Sequence, residues 1–254
     1  MHVFIADGPS EVASFVAQII GKTIFDKTLA VLCLPTGSTP IPTYKELVRM
    51  HKEEKLSFAN VVTFNLDEYI GLDKDHKESY NYFMNHHLYQ HVDAKPENVH
   101  IPDGTLPNDK YEEYCSNYEK QIVEAGGLQI ALVGIGRTGH IGFNEPGSTD
   151  KDRMRVVHLH DVTIKDAAGS FGGFEGVPKT AVTMGLGTVL DAKHIILIAT
   201  GKNKAEIVKK FLEDEEARKS PTDCPAVYLH EHEHVTVFLD KDAASLLEKE
   251  YTKK

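Results

Sequence analysis

The feature that most constrains the fold is a regular alternation of short apolar runs with longer amphipathic segments. Apolar runs of strand length predict β-strands over residues 2–6, 29–35, 61–65, 128–136, 155–159, 194–200 and 235–240. Amphipathic segments predict helices over residues 10–26, 39–54, 79–92, 108–125, 202–217 and 243–251. Apolar strands separated by helices indicate βαβ units, which build a mostly parallel sheet with helices on both faces. The sequence therefore predicts an α/β fold with a doubly wound, Rossmann-like sheet.

The length of the chain, 254 residues, suffices for one substantial core, and no internal repeat, low-complexity linker or change of composition divides it. We expect a single domain over residues 1–254. The formal net charge of −10 disfavours nucleic acid as a partner, and no basic run with interleaved aromatic residues is present. An anionic small molecule would need a locally positive site. A monomer and a homo-oligomer are both compatible with the sequence.

Membrane and disulfide classes are also disfavoured. No run of eighteen or more apolar residues predicts a membrane span, so no membrane partner is expected. The first residues, "MHVFIADGPSEVASF", lack a basic leader with an apolar core, and we expect a cytoplasmic protein. Cys33, Cys115 and Cys224 are few and widely spaced, which argues against a disulfide framework or a zinc site.

Ligands of doubly wound sheets bind beyond the carboxyl ends of the strands. The candidate positions are the loops that follow Leu34, Asn65, Gly134 and Thr200. The first loop, "LPTGSTP", contains Thr36, Gly37, Ser38 and Thr39 ahead of a predicted helix. Its small residues leave backbone N–H groups free for an oxyanion, and the helix N-terminus adds partial positive charge. Phosphate binding and an ordinary capped turn fit this loop equally well.

The second loop, "FNLDEYIGL", places Asp67 and Glu68 just past a strand end. A carboxylate there can act as a general base, above all toward a proton next to a carbonyl group. Because adjacent side chains point in different directions, we expect only one of the two to face the site. The competing interpretation is a helix-capping or solvated acidic pair.

The third loop contains Gly134, Gly136 and Gly139, which spell the G-x-G-x-x-G pattern of dinucleotide-binding proteins. Such a turn must open a helix, with an acidic residue about twenty positions further on at a strand end. Here the glycines run into "HIGFNEPGS", a poor helix interior, and no acidic residue ends "RVVHL". We therefore predict no dinucleotide and no other cofactor.

The same turn presents His140 and Glu145. Histidine titrates near neutrality and a nearby carboxylate can orient its ring, which suits proton transfer at a sugar ring oxygen or hydroxyl. A purely structural histidine is the alternative. A metal pair is disfavoured because no third ligand stands at suitable spacing, and no metal is predicted. The cluster "HEHEH" (residues 230–234) is interpreted as a solvated turn.

The fourth loop, "ATGKNKAEIVKKF", places Lys202 and Lys204 on the turn between a strand and a helix. Lysine is a good point-charge partner for phosphate, and this turn offers the local positive charge that the acidic chain otherwise lacks. Ordinary exposed lysines are the competing interpretation.

Five segments, "LPTGSTP", "FNLDEYIGL", "GHIGFNEPGS", "VPKTAVTMGLGTVLDA" and "ATGKNKA", resemble the glucosamine-6-phosphate deaminase family in their order and over nearly the whole chain. The resemblance implies conversion of glucosamine 6-phosphate and water to fructose 6-phosphate and ammonia, without metal or organic cofactor. It implies that Asp67 is the base at C2 and that His140, with Glu145, opens the sugar ring. It also implies that Thr36–Thr39 and Lys204 hold the phosphate.

Two departures from the family pattern stand out. Many members carry an acidic residue where this chain has Thr138, preceded by Arg137, so His140 is expected to rely on Glu145 alone. Many members also carry a phosphate-gripping arginine within "ANSRFF", whereas this chain has "KDAAGSFGGF". Lys165 or Arg137 is the candidate substitute for that arginine.

The glycine-rich, polar segment from about residue 150 to 176 corresponds in this resemblance to a mobile lid. Two alternatives to the deaminase are retained. Related 6-phosphogluconolactonases share the fold but lack "FNEP", so a sugar-phosphate hydrolase of that kind is the first. A non-catalytic sugar-phosphate sensor is the second, although no helix-turn-helix segment or basic DNA-binding region is present.

Overall fold

An eight-stranded parallel sheet forms the centre of the protein, and the structure, a computed structural model, describes residues 1–253. The strands are β1 His2–Ala6, β2 Ala30–Leu34, β3 Val61–Asn65, β4 Asp67–Tyr69, β5 Val99–His100, β6 Ile130–Gly134, β7 Arg155–His158, β8 Thr180–Thr183, β9 His194–Ala199, β10 Val235–Asp240 and β11 Thr252–Lys253. The helices are α1 Pro9–Asp26, α2 Ile41–Glu54, α3 Tyr80–His87, α4 Tyr111–Glu124, α5 Asp161–Ala167, α6 Leu186–Leu190, α7 Ala205–Glu213 and α8 Glu215–Lys219.

The strand order in the main sheet is β11-β1-β10-β9-β6-β2-β3-β5, and every neighbouring pair is parallel. The chain leaves β2 toward one edge, through β3 and β5, and leaves β6 toward the other, through β9 and β10. The direction of winding therefore reverses between β2 and β6. At such a switch point the loops at the carboxyl ends diverge and leave a crevice.

The apolar runs are buried on both faces of this sheet. Along β2, Val31 and Cys33 join a core with residues of α4 and α7, whereas Leu32 and Leu34 join a second core with residues of α1 and α2. Because side chains alternate along a strand, both sets must be apolar. The doubly wound α/β prediction is confirmed.

A second, antiparallel sheet of three strands, in the order β4-β8-β7, covers one end of the main sheet. The sequence predicts β7 but neither β4, which has three residues, nor β8, which has four like β7. Asp67 lies opposite Thr183 in the β4–β8 register. The segment that we describe as a polar loop after a strand is therefore partly a strand itself.

Three helix predictions need correction. The predicted helix over 79–92 ends at His87 and continues as a short 3-10 turn, Tyr89–His91. The predicted helix over 202–217 is divided into a 3-10 turn, α7 and α8, with the extended residue Asp214 between the two helices. The prediction over 243–251 is wrong, because residues 241–246 form turns and residues 247–251 contain no helix. There the backbone N–H groups of Glu248 and Lys249 donate to the carboxylate of Glu213 on α7 rather than to a helix of their own. This tertiary contact replaces the local backbone hydrogen bonds that a helix would form.

Candidate active site

A cleft of about 700 Å³ lies at the switch point between β2 and β6. The four loops singled out from the sequence, those after β2, β3, β6 and β9, all contribute to its wall, together with one side of α5. The polar side chains on the wall include Thr36, Ser38, Thr39, Asp67, Arg137, His140, Thr163, Asp166, Asn203 and Lys204. The structure therefore brings the four candidate loops together at one cleft.

The turn after β2 lines one end of the cleft. Gly37 has a φ of +97°, which suits glycine and lets the chain turn sharply ahead of α2. The buried Tyr44 hydroxyl donates to the carbonyl oxygen of Pro35 and fixes the start of the turn. Within residues 1–253, the N–H groups of Thr36–Thr39 donate to no protein acceptor, so they are available to an anion at the N-terminal end of α2.

Asp67 begins β4 and is 5% exposed. Burial, followed by the negative charge of Glu68, raises the pKa of Asp67 to about 8. Gly142 packs against Asp67 with a φ of +57°, and a Cβ at position 142 would lie 3.0 Å from Asp67 Oδ2. A carboxyl group held in this way titrates near the pH at which a general base must work.

Glu68 is also buried, but it does not line the cleft. Its carboxylate accepts from the backbone N–H groups of Tyr69, Tyr80 and Asn81, at 2.8, 3.0 and 3.0 Å. Two of these donors belong to the first turn of α3, where a negative charge is stabilised. Of the two adjacent carboxylates, then, one faces the cleft and the other anchors a helix, the role that we retained as its alternative.

The His140 imidazole lies against Gly136. A Cβ at position 136 would stand 1.9 Å from His140 Nε2, so only glycine leaves room for the ring. Nδ1 of His140 is hydrogen bonded to the hydroxyl of Thr138 at 2.8 Å. Burial, followed by the positive charge of Lys204, lowers the pKa of His140 to about 4. The ring is therefore neutral at physiological pH.

The expected pairing of His140 with Glu145 needs correction. Glu145 Oε2 accepts from the backbone N–H of His160 at 2.7 Å and lies 3.3 Å from Nδ1 of that residue. Its Oε1 is buried without a hydrogen-bond partner in the described part of the chain. The ring of His140 is oriented instead by Thr138, and Glu145 braces the segment that leads into α5. The short sequence distance between His140 and Glu145 suggests contact, but the turn at Ile141–Asn144 separates them.

Lys204 projects from the turn after β9, and its ammonium group donates to the carbonyl oxygen of Ile135 at 2.7 Å. Burial lowers the pKa of Lys204, and the carboxylate of Asp166 opposes that shift. The neighbouring Lys202 is exposed and does not line the cleft.

Of the two candidate substitutes for the missing arginine, Arg137 lines the cleft and Lys165 does not. Arg137 donates from Nε at 2.9 Å, and from Nη2, to the two carboxylate oxygens of Asp166 on α5. No motif in the sequence indicates a role for Asp166, because an isolated aspartate within a short helix has no distinctive pattern. Only the packing of α5 across the cleft mouth, through the buried Ile164 among Tyr69 and Phe143, brings it there.

Features with other possible roles are also resolved. Residues 135–154, which follow the first glycine of the G-x-G-x-x-G pattern, contain turns and no helix, unlike a dinucleotide-binding turn. In the "HEHEH" segment, His230 and His232 bond to the carbonyl oxygens of Phe211 and Ala192, so these rings tie elements together. Within residues 1–253, no three or more His, Cys, Asp or Glu side chains are grouped as metal ligands. Cys33, Cys115 and Cys224 are free and buried.

The fold and cleft define a class of sugar-phosphate enzymes. The profile of the family described as glucosamine-6-phosphate isomerases/6-phosphogluconolactonase matches residues 7–238. A solved structure described as a monomeric glucosamine-6-phosphate deaminase superposes with a TM-score of 0.92 at 44% identity, covering 97% of this chain and all of that one. A 6-phosphogluconolactonase from Leishmania guyanensis superposes with a TM-score of 0.75 at 22% identity, covering 95% of this chain and 97% of that one, and shows the common fold alone.

Sequence relatives narrow the class further. A glucosamine-6-phosphate deaminase from a Thermoanaerobacter species is 45% identical over 97% of this chain and 95% of its own length. Glucosamine-6-phosphate deaminase 1 of Bacillus subtilis is 46% identical over 93% of this chain and 95% of its own. The chain belongs to the glucosamine-6-phosphate deaminase family.

None of the helices in residues 1–253 is both long and apolar enough to span a bilayer.

Proposed function

We propose that this protein is a glucosamine-6-phosphate deaminase, which converts D-glucosamine 6-phosphate and water to D-fructose 6-phosphate and ammonia. The observation that carries the proposal is that a neutral imidazole, His140, and a buried carboxyl group, Asp67, line the same cleft beside an anion-binding turn. The high identity to deaminases over nearly the full chain supports it.

The 6-phosphate binds at the turn of Thr36–Thr39, where free N–H groups and the N-terminal end of α2 favour an anion. Lys204 supplies positive charge from the turn after β9, and its bond to Ile135 O leaves two further N–H donors. The phosphate takes no part in bond making, so its binding energy holds the sugar in register with the two reacting groups.

His140 opens the pyranose ring. A neutral imidazole can accept the proton of the anomeric hydroxyl and return a proton to the ring oxygen, which leaves the open-chain aldehyde. The low pKa that burial gives to His140 keeps the ring in this form. The Thr138 hydroxyl at Nδ1 fixes the plane of the ring without adding a charge.

Asp67 then acts as the base at C2. The aldehyde makes the proton at C2 acidic, and the carboxylate removes it and delivers it to C1. One proton of the substrate ammonium group passes to O1, so that C1 becomes an alcohol and C2 an iminium carbon, which completes the aldose–ketose shift. The ammonium group of the substrate, placed beside Asp67, lowers the pKa of the carboxyl group from its raised value and favours the ionised form. Water attacks the resulting C2 imine and ammonia leaves.

Glu145 has a structural role in this site. It holds the backbone of His160 at the start of α5 and thereby sets the position of the wall opposite His140. The segment of residues 150–176, which contains α5, acts as a lid that moves when substrate enters. Its residues Thr163, Asp166 and Ala167 line the cleft mouth.

A coupled ammonia assay with glucosamine, galactosamine and mannosamine 6-phosphates tests the proposal. We expect ammonia and a ketose 6-phosphate from the glucosamine compound. Release of acid from 6-phosphogluconolactone, with no ammonia from any amino sugar, would replace the deaminase with the hydrolase alternative. Binding of these ligands without turnover would favour the sensor.

A further inference from the structure

The cleft has few positive charges for a doubly charged phosphate. Among the described residues that line it, Arg137 and Lys204 are the basic groups that stay charged, because His140 is neutral. Two carboxyl groups, Asp67 and Asp166, line the same cleft. The state of Arg137 therefore decides whether a phosphate meets two positive charges or one.

Arg137 is already engaged in this structure. Its Nε and Nη2 atoms donate side by side to the two oxygens of Asp166. A guanidinium binds carboxylate and phosphate through the same fork of parallel N–H bonds, so a phosphate that uses this fork must displace Asp166.

Asp166 lies where its carboxylate can compete with a bound phosphate for Arg137. Its carboxylate is close enough to oppose the lowering of the pKa that burial causes at Lys204 and His140. It therefore stands among the cationic and polar groups that would surround a bound phosphate. It also comes from α5, on the opposite wall from Arg137 and His140.

The bridge is weak enough to exchange. The side chains of Arg137 and Asp166 are 54% and 42% exposed, and water and salt screen an ion pair of this kind. A dianion that also contacts Lys204 and the N–H groups of Thr36–Thr39 has more to gain from Arg137 than a single carboxylate has.

We propose that the Asp166 carboxylate occupies the hydrogen-bond donors of Arg137 until substrate binds. When the substrate phosphate enters the cleft, it displaces Asp166 and binds to Arg137 in its place. The inference rests on the proposed function for the identity of the phosphate. It assigns Arg137 as the phosphate ligand in place of the missing arginine. It also makes the Arg137–Asp166 bridge the contact that holds α5 to the turn of His140 until phosphate arrives.

Titration calorimetry with inorganic phosphate at low salt tests the exchange on the full chain. Asp166→Asn and Asp166→Ala should each bind phosphate about three- to fivefold more tightly than wild type, the range of a weak surface pair. The KM for glucosamine 6-phosphate should fall by a similar factor with little change in kcat. Asp161→Asn, which removes a charge from the exposed first turn of α5, is the matched control and should leave both values unchanged.

The role of Arg137 as phosphate ligand is tested with Arg137→Met, which should weaken phosphate binding. In that background, Asp166→Asn should bring a clearly smaller gain, due only to the loss of a negative charge near Lys204, because there is no guanidinium to release. A gain in affinity of the same size without Arg137, or no gain in the single variants, would overturn the inference.

Failure of this inference and failure of the proposed function are distinguishable. Ammonia release by wild type together with unchanged phosphate affinity in Asp166→Asn overturns only the exchange. Tighter phosphate binding by Asp166→Asn, mostly lost in the Arg137→Met background, supports the exchange even in a chain that releases no ammonia.

Discussion

The two walls of the cleft are held in different ways. On one wall, Asp67 is buried and His140 is partly buried, and they are fixed by a strand register, a hydroxyl contact and two closely packed glycines. On the other wall, the charged contact of α5 with the turn of His140 is a half-exposed ion pair. Close packing gives the first wall one arrangement, whereas a screened ion pair can change its partner. The groups assigned to proton transfer, Asp67 and His140, therefore lie on the closely packed wall. Entry of the phosphate depends on the other wall, where the contact is an ion pair.

The strongest test of the packed wall is Asp67→Asn. Loss of a positioned general base should lower kcat roughly a thousandfold, and phosphate affinity should stay close to that of wild type. Ammonia release and phosphate titration measure the two effects. Full activity in this variant would remove Asp67 from the mechanism.

Stability against pH gives an independent readout for the same variant. A carboxyl pKa raised above its unfolded value means that the fold favours the protonated form, so wild type loses stability as pH rises through about 8. Asp67→Asn lacks this loss, so its Tm relative to that of wild type should rise between about pH 4, the ordinary pKa of an aspartate, and about pH 8, and should then level off. Glu68→Gln is the contrasting control, because it weakens the N–H bonds at the start of α3 and should cost about 1–3 kcal/mol of stability.

The next largest effect is expected from Gly136→Ala. The added methyl would overlap the His140 ring, which can only rotate away, so kcat should fall about a hundredfold while the fold persists. Gly8→Ala, outside the cleft and at a position where a Cβ meets nothing within 4 Å, controls for the loss of a glycine. Equal activity of the two variants would show that the ring position is not needed.

Lys204→Met should act mainly on KM. Loss of a charged donor that contacts the phosphate before and during the reaction should raise KM about ten- to a hundredfold and leave kcat nearly unchanged. Lys202→Met, on the same turn but outside the cleft, should behave as wild type. A fall in kcat alone would contradict the assignment of Lys204 to the phosphate.

The smallest effect in this series is expected from Thr138→Val. The change keeps the shape and removes the hydroxyl at His140 Nδ1, so kcat/KM should fall about tenfold. Thr138→Ser keeps the hydroxyl and should retain most of the activity. Identical rates for the valine and serine variants would show that another group orients the ring.

Sequence pattern predicts the α/β class and seven of the eleven described strands, because apolar runs of strand length indicate burial in a sheet. It also predicts which loops meet, since the carboxyl ends of parallel strands share one edge. It fails for β4, β5, β8 and β11, which have two to four residues each, and for the C-terminal segment 243–251. In that segment the carboxylate of Glu213 takes the backbone N–H groups that a helix would use.

By itself, the sequence determined the parallel sheet, its edge of loops and the candidate set that contains Asp67, His140 and Lys204. Only the tertiary structure decided how neighbours divide their roles. It turned Asp67 to the cleft and Glu68 to α3, gave His140 a threonine rather than Glu145 as partner, and brought Asp166 to Arg137 from 29 residues away. The physical reason is that burial and local period are encoded along the chain. The partner of a polar side chain depends instead on which distant backbone groups and charges packing places beside it.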